Sequence, residues 1–182
     1  TEVGAFMSDL KEQEGLGPLA LQFTILTVVR TNEALNAEVE EFDPQRGIWT
    51  IPPERMKARK EHRVPLSKRA REIANFLIDN QTSNYLFPGR KDGQPLSNMA
   101  MLATIKRMGR SGELTVHGFR SAFRDWAAEQ TNYPRDVAEA ALAHTIPDAV
   151  ERAYRRGDLF EKRSRLMEDW ANYCGTVIKK AI

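Results

Sequence analysis

The run from Leu19 to Val29 is apolar on every side of a helix, interrupted only by Gln22, Thr24 and Thr27. A helix without a polar face belongs in a core, so whatever else this chain forms must cover it. Val3 to Gln13 reads as an amphipathic helix ahead of it, set apart by the break Gly15-Leu16-Gly17-Pro18. Behind it comes Arg30, then Thr31 or Asn32 as the cap of a short helix through Ala37, with Glu33 favouring the first turn. Arg30 is thereby placed at a helix-to-helix corner, where a lone cation ordinarily makes only a modest dipole contact.

The period then changes. Val39 to Phe42 and Ile48 to Ile51, joined by Asp43-Pro44-Gln45-Arg46-Gly47, read as two short strands of a hairpin or meander, with a third at His62 to Leu66. The connection between the second and third strands, PPERMKARKE, is polar and basic, belongs on the surface and carries Lys57. Ser67 caps a helix to about Asn80, Phe87 to Gly93 is a loop, and Ser97 caps a helix to Arg110. After Ser111-Gly112 the chain is helical, through the stretch that starts at Leu114, Pro134 to Ala143, Asp148 to about Arg155, and Phe160 to Ile178. The expected fold is mixed α+β, mainly helical, with a small three-stranded antiparallel sheet, as one domain over residues 1–182.

In the helix after Leu114, the residues Phe119, Ala122, Phe123, Trp126 and Ala127 follow the i, i+3, i+4, i+7, i+8 rule and make one apolar face. His117, Arg120 and Arg124 share the opposite face, which taken alone is the solvated side of an amphipathic helix. A second helix leads from there to ALAHTIPDAVERAY, adding His144 and Tyr154 to the neighbourhood.

Function classes are narrowed first by exclusion. Hydrophobic residues at 41% and charged residues at 29% describe a soluble globular protein, and nothing in the chain spans a membrane. The N-terminus shows no secretory leader and Cys174 is the only cysteine, so a reducing cytoplasmic compartment is expected. No phosphate-binding glycine loop and no G-x-G-x-x-G occurs, and His62, His117 and His144 lack the paired spacing of a zinc site. No cofactor or metal is therefore expected. Net charge is only +2, yet basic residues gather in Arg55 to Arg71 and Arg152 to Arg165, which suits an anionic partner.

An arginine at a corner, a lysine on a β connection, an H-x-x-R helix, a second histidine and a tyrosine suit phosphoryl transfer without metal. Two arginines can hold the non-bridging oxygens of a phosphodiester and stabilise its transition-state charge. Tyrosine offers an oxygen nucleophile, histidines donate hydrogen bonds or accept its proton, and lysine can protonate the departing oxygen. Blander readings stand beside these. Tyr154 is on composition an ordinary half-buried helix tyrosine, against which Arg152, Arg155 and Arg156 argue for a phosphate neighbour. His144, just before Thr145-Ile146-Pro147, could simply end a helix, and Lys57 competes with Arg55, Arg59 and Lys60. His62, Arg124, Trp126 and Trp170 read as structural or peripheral.

The segments RTNEAL (Arg30 to Leu35), RMKARKEHRVPLS (Arg55 to Ser67), LFPGR (Leu86 to Arg90), HGFR (His117 to Arg120), LAH (Leu142 to His144) and AYRRG (Ala153 to Gly157) cover nearly the whole chain. In this order and spacing the chain resembles the catalytic domain of the tyrosine recombinases, specifically the integrases of temperate phages and genomic islands. The resemblance implies that Arg30 and Arg120 clamp the scissile phosphate, that Lys57 is the general acid, and that His117 and His144 complete the pocket. Tyr154 is then the nucleophile, leaving a 3′-phosphotyrosyl bond and a free 5′-hydroxyl, and Glu33 orients the first arginine. Ala143 stands where many members have glycine, and small size is kept.

The implied function is site-specific DNA recombination by a prophage or genomic-island integrase in the bacterial cytoplasm, associated with the nucleoid. Its partners are double-stranded DNA attachment sites, further copies in a homotetramer, and accessory DNA-bending or directionality proteins. No ATP is needed, because one phosphodiester is exchanged for another. Members carry an N-terminal core-binding domain and often an arm-binding domain, and the expectation is that this chain starts after them. Two alternatives remain: relaxation of DNA in the manner of a type IB topoisomerase, and a DNA-binding module without catalysis. The apolar positions Leu159, Phe160, Leu166, Met167 and Trp170 must be buried, on this domain or on a neighbour's.

Overall fold

Helix α2 (Leu16–Thr27) is covered at Pro18 and at every residue from Ala20 to Thr27, as its lack of a polar face requires. The computed structural model describes residues 2–144 and 157–176. Around α2 pack α1 (Glu2–Lys11), α3 (Thr31–Leu35), α4 (Lys68–Asp79), α5 (Ala100–Arg107) and a C-terminal helix, Phe160–Gly175. The polar residues inside α2 are satisfied within the core. Thr24 and Thr27 donate to the Ala20 and Phe23 carbonyls, both at 2.7 Å, and Gln22 donates to the Leu10 carbonyl.

The break before α2 is shorter than expected, because Pro18 sits in the first helical turn, where its missing N–H would have had no intrahelical partner. Gly17 serves close packing: a Cβ there would stand 2.9 Å from Thr104 Oγ1 and 3.1 Å from the Ala100 carbonyl oxygen of α5.

The sheet is antiparallel in the order β1 (Phe42–Asp43), β2 (Ile48–Ile51), β3 (His62–Pro65), with Phe42 opposite Trp49 and Trp49 opposite Val64. The mainly helical domain with a small three-stranded sheet is thus observed. Its first strand is shorter than expected, since Val39–Glu41 forms a 3₁₀ turn in which the Glu41 carboxylate accepts the Glu38 N–H. Gly47, at φ 66°, closes the hairpin. Phe23, Phe42, Trp49 and Phe87 form an aromatic cluster that fastens the sheet to α2.

Ser67 caps α4 as expected, its Oγ accepting the Ala70 N–H. Ser97 accepts the Met99 N–H, but α5 starts only at Ala100. Helix α6 (Gly118–Glu129) starts later than the stretch suggested, after a turn that Thr115 Oγ1 holds by accepting the Gly118 N–H. Helix α7 (Arg135–Ala141) follows Pro134, and the helix expected at Asp148 to Arg155 lies outside the described residues.

The C-terminal helix, α8 (Phe160–Gly175), is part of the same core. Leu166, Met167 and Trp170 are buried in their own chain, Trp170 Nε1 donates to the Ile25 carbonyl at 2.8 Å, and its ring meets Phe123 and Trp126. This helix also corrects the charge reading. Arg163, only 1% exposed, is an internal strut that donates to the Asp158 and Arg63 carbonyls and pairs with the Asp158 carboxylate. Among the described residues no helix is long and apolar enough to cross a membrane.

Candidate active site

Helix α2 ends in an uncommon way: Val28 adopts φ 50°, a conformation that a β-branched residue takes only when its surroundings impose it. Arg30 follows. Neither Thr31 nor Asn32 caps α3; Arg30 holds the cap position, and Glu33 accepts its backbone N–H at 2.8 Å with one carboxylate oxygen. The other oxygen accepts from Arg30 Nη1, also at 2.8 Å. Glu33 is buried while Arg30 keeps a third of its side chain exposed, so the pair presents the guanidinium outward on a fixed base.

Arg120 is not on a solvated face. It is 7% exposed and donates to the Val28 carbonyl through Nη1 and to the Leu142 carbonyl at 2.8 Å through Nη2. Burial and then the charge of Arg30 hold its pKa down to about 10 against the pull of Glu33, so it remains a cation at neutral pH. Arg124, about 6 Å further along the helix axis, has passed beyond this environment; it is exposed, 3.7 Å from Asp125.

Arg30, Glu33, Lys57, His117 and Arg120 line one cavity of about 590 Å³, large enough for a phosphodiester and its flanking sugars. His117 is exposed in the turn before α6, and its carbonyl accepts the Arg120 N–H at 3.0 Å. The H-x-x-R spacing thus puts both side chains at the mouth of α6. The connection carrying Lys57 is anchored on its N-terminal side. Met56 is buried, and Arg55 pairs with Glu41 and donates to the Glu33 carbonyl at 2.5 Å, while Lys57 itself is exposed. Arg55 is therefore committed to protein groups. Of the other competitors, Arg59 lines the cavity at φ 51° and Lys60 does not line it.

His144 reaches the group through Arg120, whose Nη2 is 3.3 Å from its Nε2. It is placed by the end of α7: the His144 N–H donates to the Glu139 carbonyl and the Ala143 N–H to the Ala140 carbonyl, a Schellman motif with Ala143 at φ 50°. Glycine at that position would thus be favoured by backbone conformation, and small size is the lesser part of the reason. The ring's Nδ1 is 2.7 Å from the Glu139 carboxylate. Tyr154 lies outside the described residues.

Sequence reasoning missed what holds these side chains. The Val28 and Leu142 carbonyls carry no sequence signature. Glu139 precedes His144 by five positions, a spacing that a regular helix would not bring together and only the Schellman turn does. His62, read in sequence as structural or peripheral, is a buried part of β3, and the Ala141 carbonyl at the end of α7 is near enough to favour its charged form.

Residues 2–159 match the model of the phage integrase family. The chain is 39% identical over 150 residues to the prophage integrase IntA of Escherichia coli K12, covering 81% of this chain and 36% of that protein. It is 32% identical over 180 residues to the prophage integrase IntZ of the same strain, covering 98% of this chain and 44% of that protein. Among solved structures, the integrase of mycobacterium phage Brujita shares the fold, with a TM-score of 0.66 at 18% identity, over 98% of this chain and 60% of that one. The chain thus spans less than half the length of these two curated relatives.

Proposed function

Because the chain belongs to the phage integrase family, we propose that it is the strand-cutting and strand-joining part of a site-specific DNA recombinase. The observation that carries this reading is the pairing of Arg30 and Arg120 at one cavity with Lys57, where Glu33 is engaged by Arg30. Two guanidiniums in one site, the burial and mutual repulsion of which already lower the pKa of Arg120, are relieved by an anion bound between them.

In the proposed reaction the Tyr154 oxygen attacks phosphorus and the bond from phosphorus to the 5′ oxygen breaks. His117 takes the phenolic proton, Lys57 gives a proton to the leaving 5′ oxygen, Arg30 and Arg120 hold the non-bridging oxygens, and His144 braces Arg120. The 3′-phosphotyrosyl ester keeps the bond energy, so a 5′-hydroxyl from a second duplex reverses the step without ATP. The substrate is double-stranded DNA at two attachment sites, bridged by a homotetramer in the bacterial cytoplasm, with accessory DNA-bending proteins as further partners.

The test is incubation with a nicked duplex taken from the boundary of the genetic element that encodes the protein. The expected result is protein joined covalently to the DNA 3′ end on a denaturing gel, and no such band with Tyr154→Phe. Absence of the adduct with the unaltered chain, or its persistence in Tyr154→Phe, overturns the reading. Relaxation of supercoiled DNA irrespective of sequence would point to a topoisomerase instead.

A further inference from the structure

We propose that Arg55 is a positioning residue for proton transfer, locking the connection that carries Lys57 to the helix that carries Arg30. The inference rests on the reading of Lys57 as the general acid.

Arg55 closes the short 3₁₀ turn Pro53–Arg55 that leaves β2. Its guanidinium pairs with the Glu41 carboxylate and donates to the Glu33 carbonyl. Glu41 is itself fixed, because its second oxygen accepts from the buried Trp49 indole at 2.8 Å and from the Glu38 N–H at 3.2 Å. Trp49 lies in β2 and stacks on Phe42 of β1 with ring centroids 5.3 Å apart, so the carboxylate is held by the sheet. Glu33 then plays two parts at once: its carboxylate grips Arg30 while its backbone oxygen receives Arg55. Met56 plugs the core on the other side of Arg55. The backbone at Lys57 is thereby fixed relative to Arg30, although the lysine side chain is exposed.

A lysine on four flexible carbons can meet a departing oxygen only if its Cα is placed correctly, and misplacement costs rate steeply. Arg55 lines the same cavity, which makes a direct phosphate contact the competing account. Its charge is neutralised by Glu41 and its donors face protein acceptors, which favours placement. The two accounts differ in what they demand of the leaving group. A phosphate clamp is needed whatever leaves. A residue that places the acid is needed only when the leaving atom requires a proton.

The experiment uses the whole chain and a nicked duplex in two forms, with the bridging 5′ atom oxygen or sulfur. Sulfur departs as a thiolate, whose parent thiol has a pKa of about 8.5, and scarcely needs protonation. Lys57→Ala should be slowed by ~10² to 10⁴ on oxygen and recover on sulfur, as expected for loss of a general acid. Arg55→Ala should be slowed about tenfold or more on oxygen and come within roughly threefold of the unaltered chain on sulfur. Arg30→Ala should stay slow on both. Arg55→Lys and Glu41→Gln, which keep the side-chain volume, should show the same oxygen-specific loss in smaller measure and carry the test should Arg55→Ala fail to fold. Equal slowing of the Arg55 and Glu41 variants on both substrates, or no slowing on either, while Lys57→Ala is rescued, overturns the proposal alone. Failure of sulfur to rescue Lys57→Ala overturns the reading of Lys57 and the proposal with it.

Discussion

Arg120 Nη2 lies 3.3 Å from His144 Nε2, and a guanidinium has no lone pair to offer. The imidazole nitrogen facing it must therefore be the acceptor. That puts the proton of the neutral ring on Nδ1, where the Glu139 carboxylate receives it at 2.7 Å. Nitrogen-15 spectra of the free protein should show the neutral His144 ring as the Nδ1–H tautomer, with Glu139→Ala shifting the population toward Nε2–H. A dominant Nε2–H form in the unaltered chain would contradict the arrangement.

Ala143 stands at φ 50° in the turn that delivers His144. An L-residue pays roughly 1–2 kcal/mol for that conformation, and glycine's larger unfolded-state entropy offsets part of the relief. Ala143→Gly should raise stability by about 0.5–1 kcal/mol in chemical denaturation. Ala103→Gly, at an exposed position within α5, is the control and should lower it by about 1 kcal/mol. A loss in both variants would show that the turn is not left-handed in solution.

His62 has its pKa lowered from 6.5 to about 4, first by burial and then by the charge of Arg163, against the opposing pull of Glu33, the Ala141 carbonyl and Asp158. The unfolded chain binds this proton more readily than the folded one between those two values. The stability is therefore fully present above pH 6.5 and is lost as pH falls toward about 4, by at most about 3 kcal/mol. His62→Gln keeps a polar side chain of similar size and does not titrate. Its denaturation midpoint should fall less steeply with acid across this window, and parallel curves for the two proteins would exclude His62 as the cause.

Trp170 fills the core among Phe123, Trp126 and Tyr173 and donates to Ile25 of the central helix. Trp170→Ala should destabilise by about 3–5 kcal/mol in urea denaturation. A truncation after Gly157 should yield insoluble or unfolded protein. A soluble, cooperatively folding truncation would mean that α8 is an accessory.

Under the proposed reaction Arg30 and Arg120 provide the positive charge that a metal ion supplies elsewhere. Covalent adduct formation on the nicked duplex should continue in excess EDTA at an unchanged rate. Abolition of the adduct by EDTA with restoration by magnesium would remove the arginine pair from that role.

Much of this was legible in the residues and some of it was not, for identifiable reasons. The burial of α2 followed from its want of a polar face, β2 (Ile48–Ile51) matched its apolar run, and Ser67 capped α4 as its side chain predicts. The motifs that carry Arg30, Lys57, His117 and Arg120 were readable by type, order and spacing, and these residues line one cavity. The burial of Arg120 was not readable, because its partners are main-chain oxygens that any residue could have supplied. The same holds for Arg55, which looked like one more surface cation in a basic run until its carboxylate partner on the edge of the sheet was seen. The start of α6 moved because Thr115 Oγ1 accepts the Gly118 N–H and holds a turn ahead of the helix.

Arg120 closes on Val28 across 92 residues of chain, and Trp170 on Ile25 across 145. Contacts of such separation close long loops, and the completed core must outweigh the entropy that this costs. Until those contacts close, Arg30 and Arg120 have no common cavity to line. Under the proposed reaction, the ability to cut a chromosome then arrives all at once, with the completed fold, and leaves with it when the core melts.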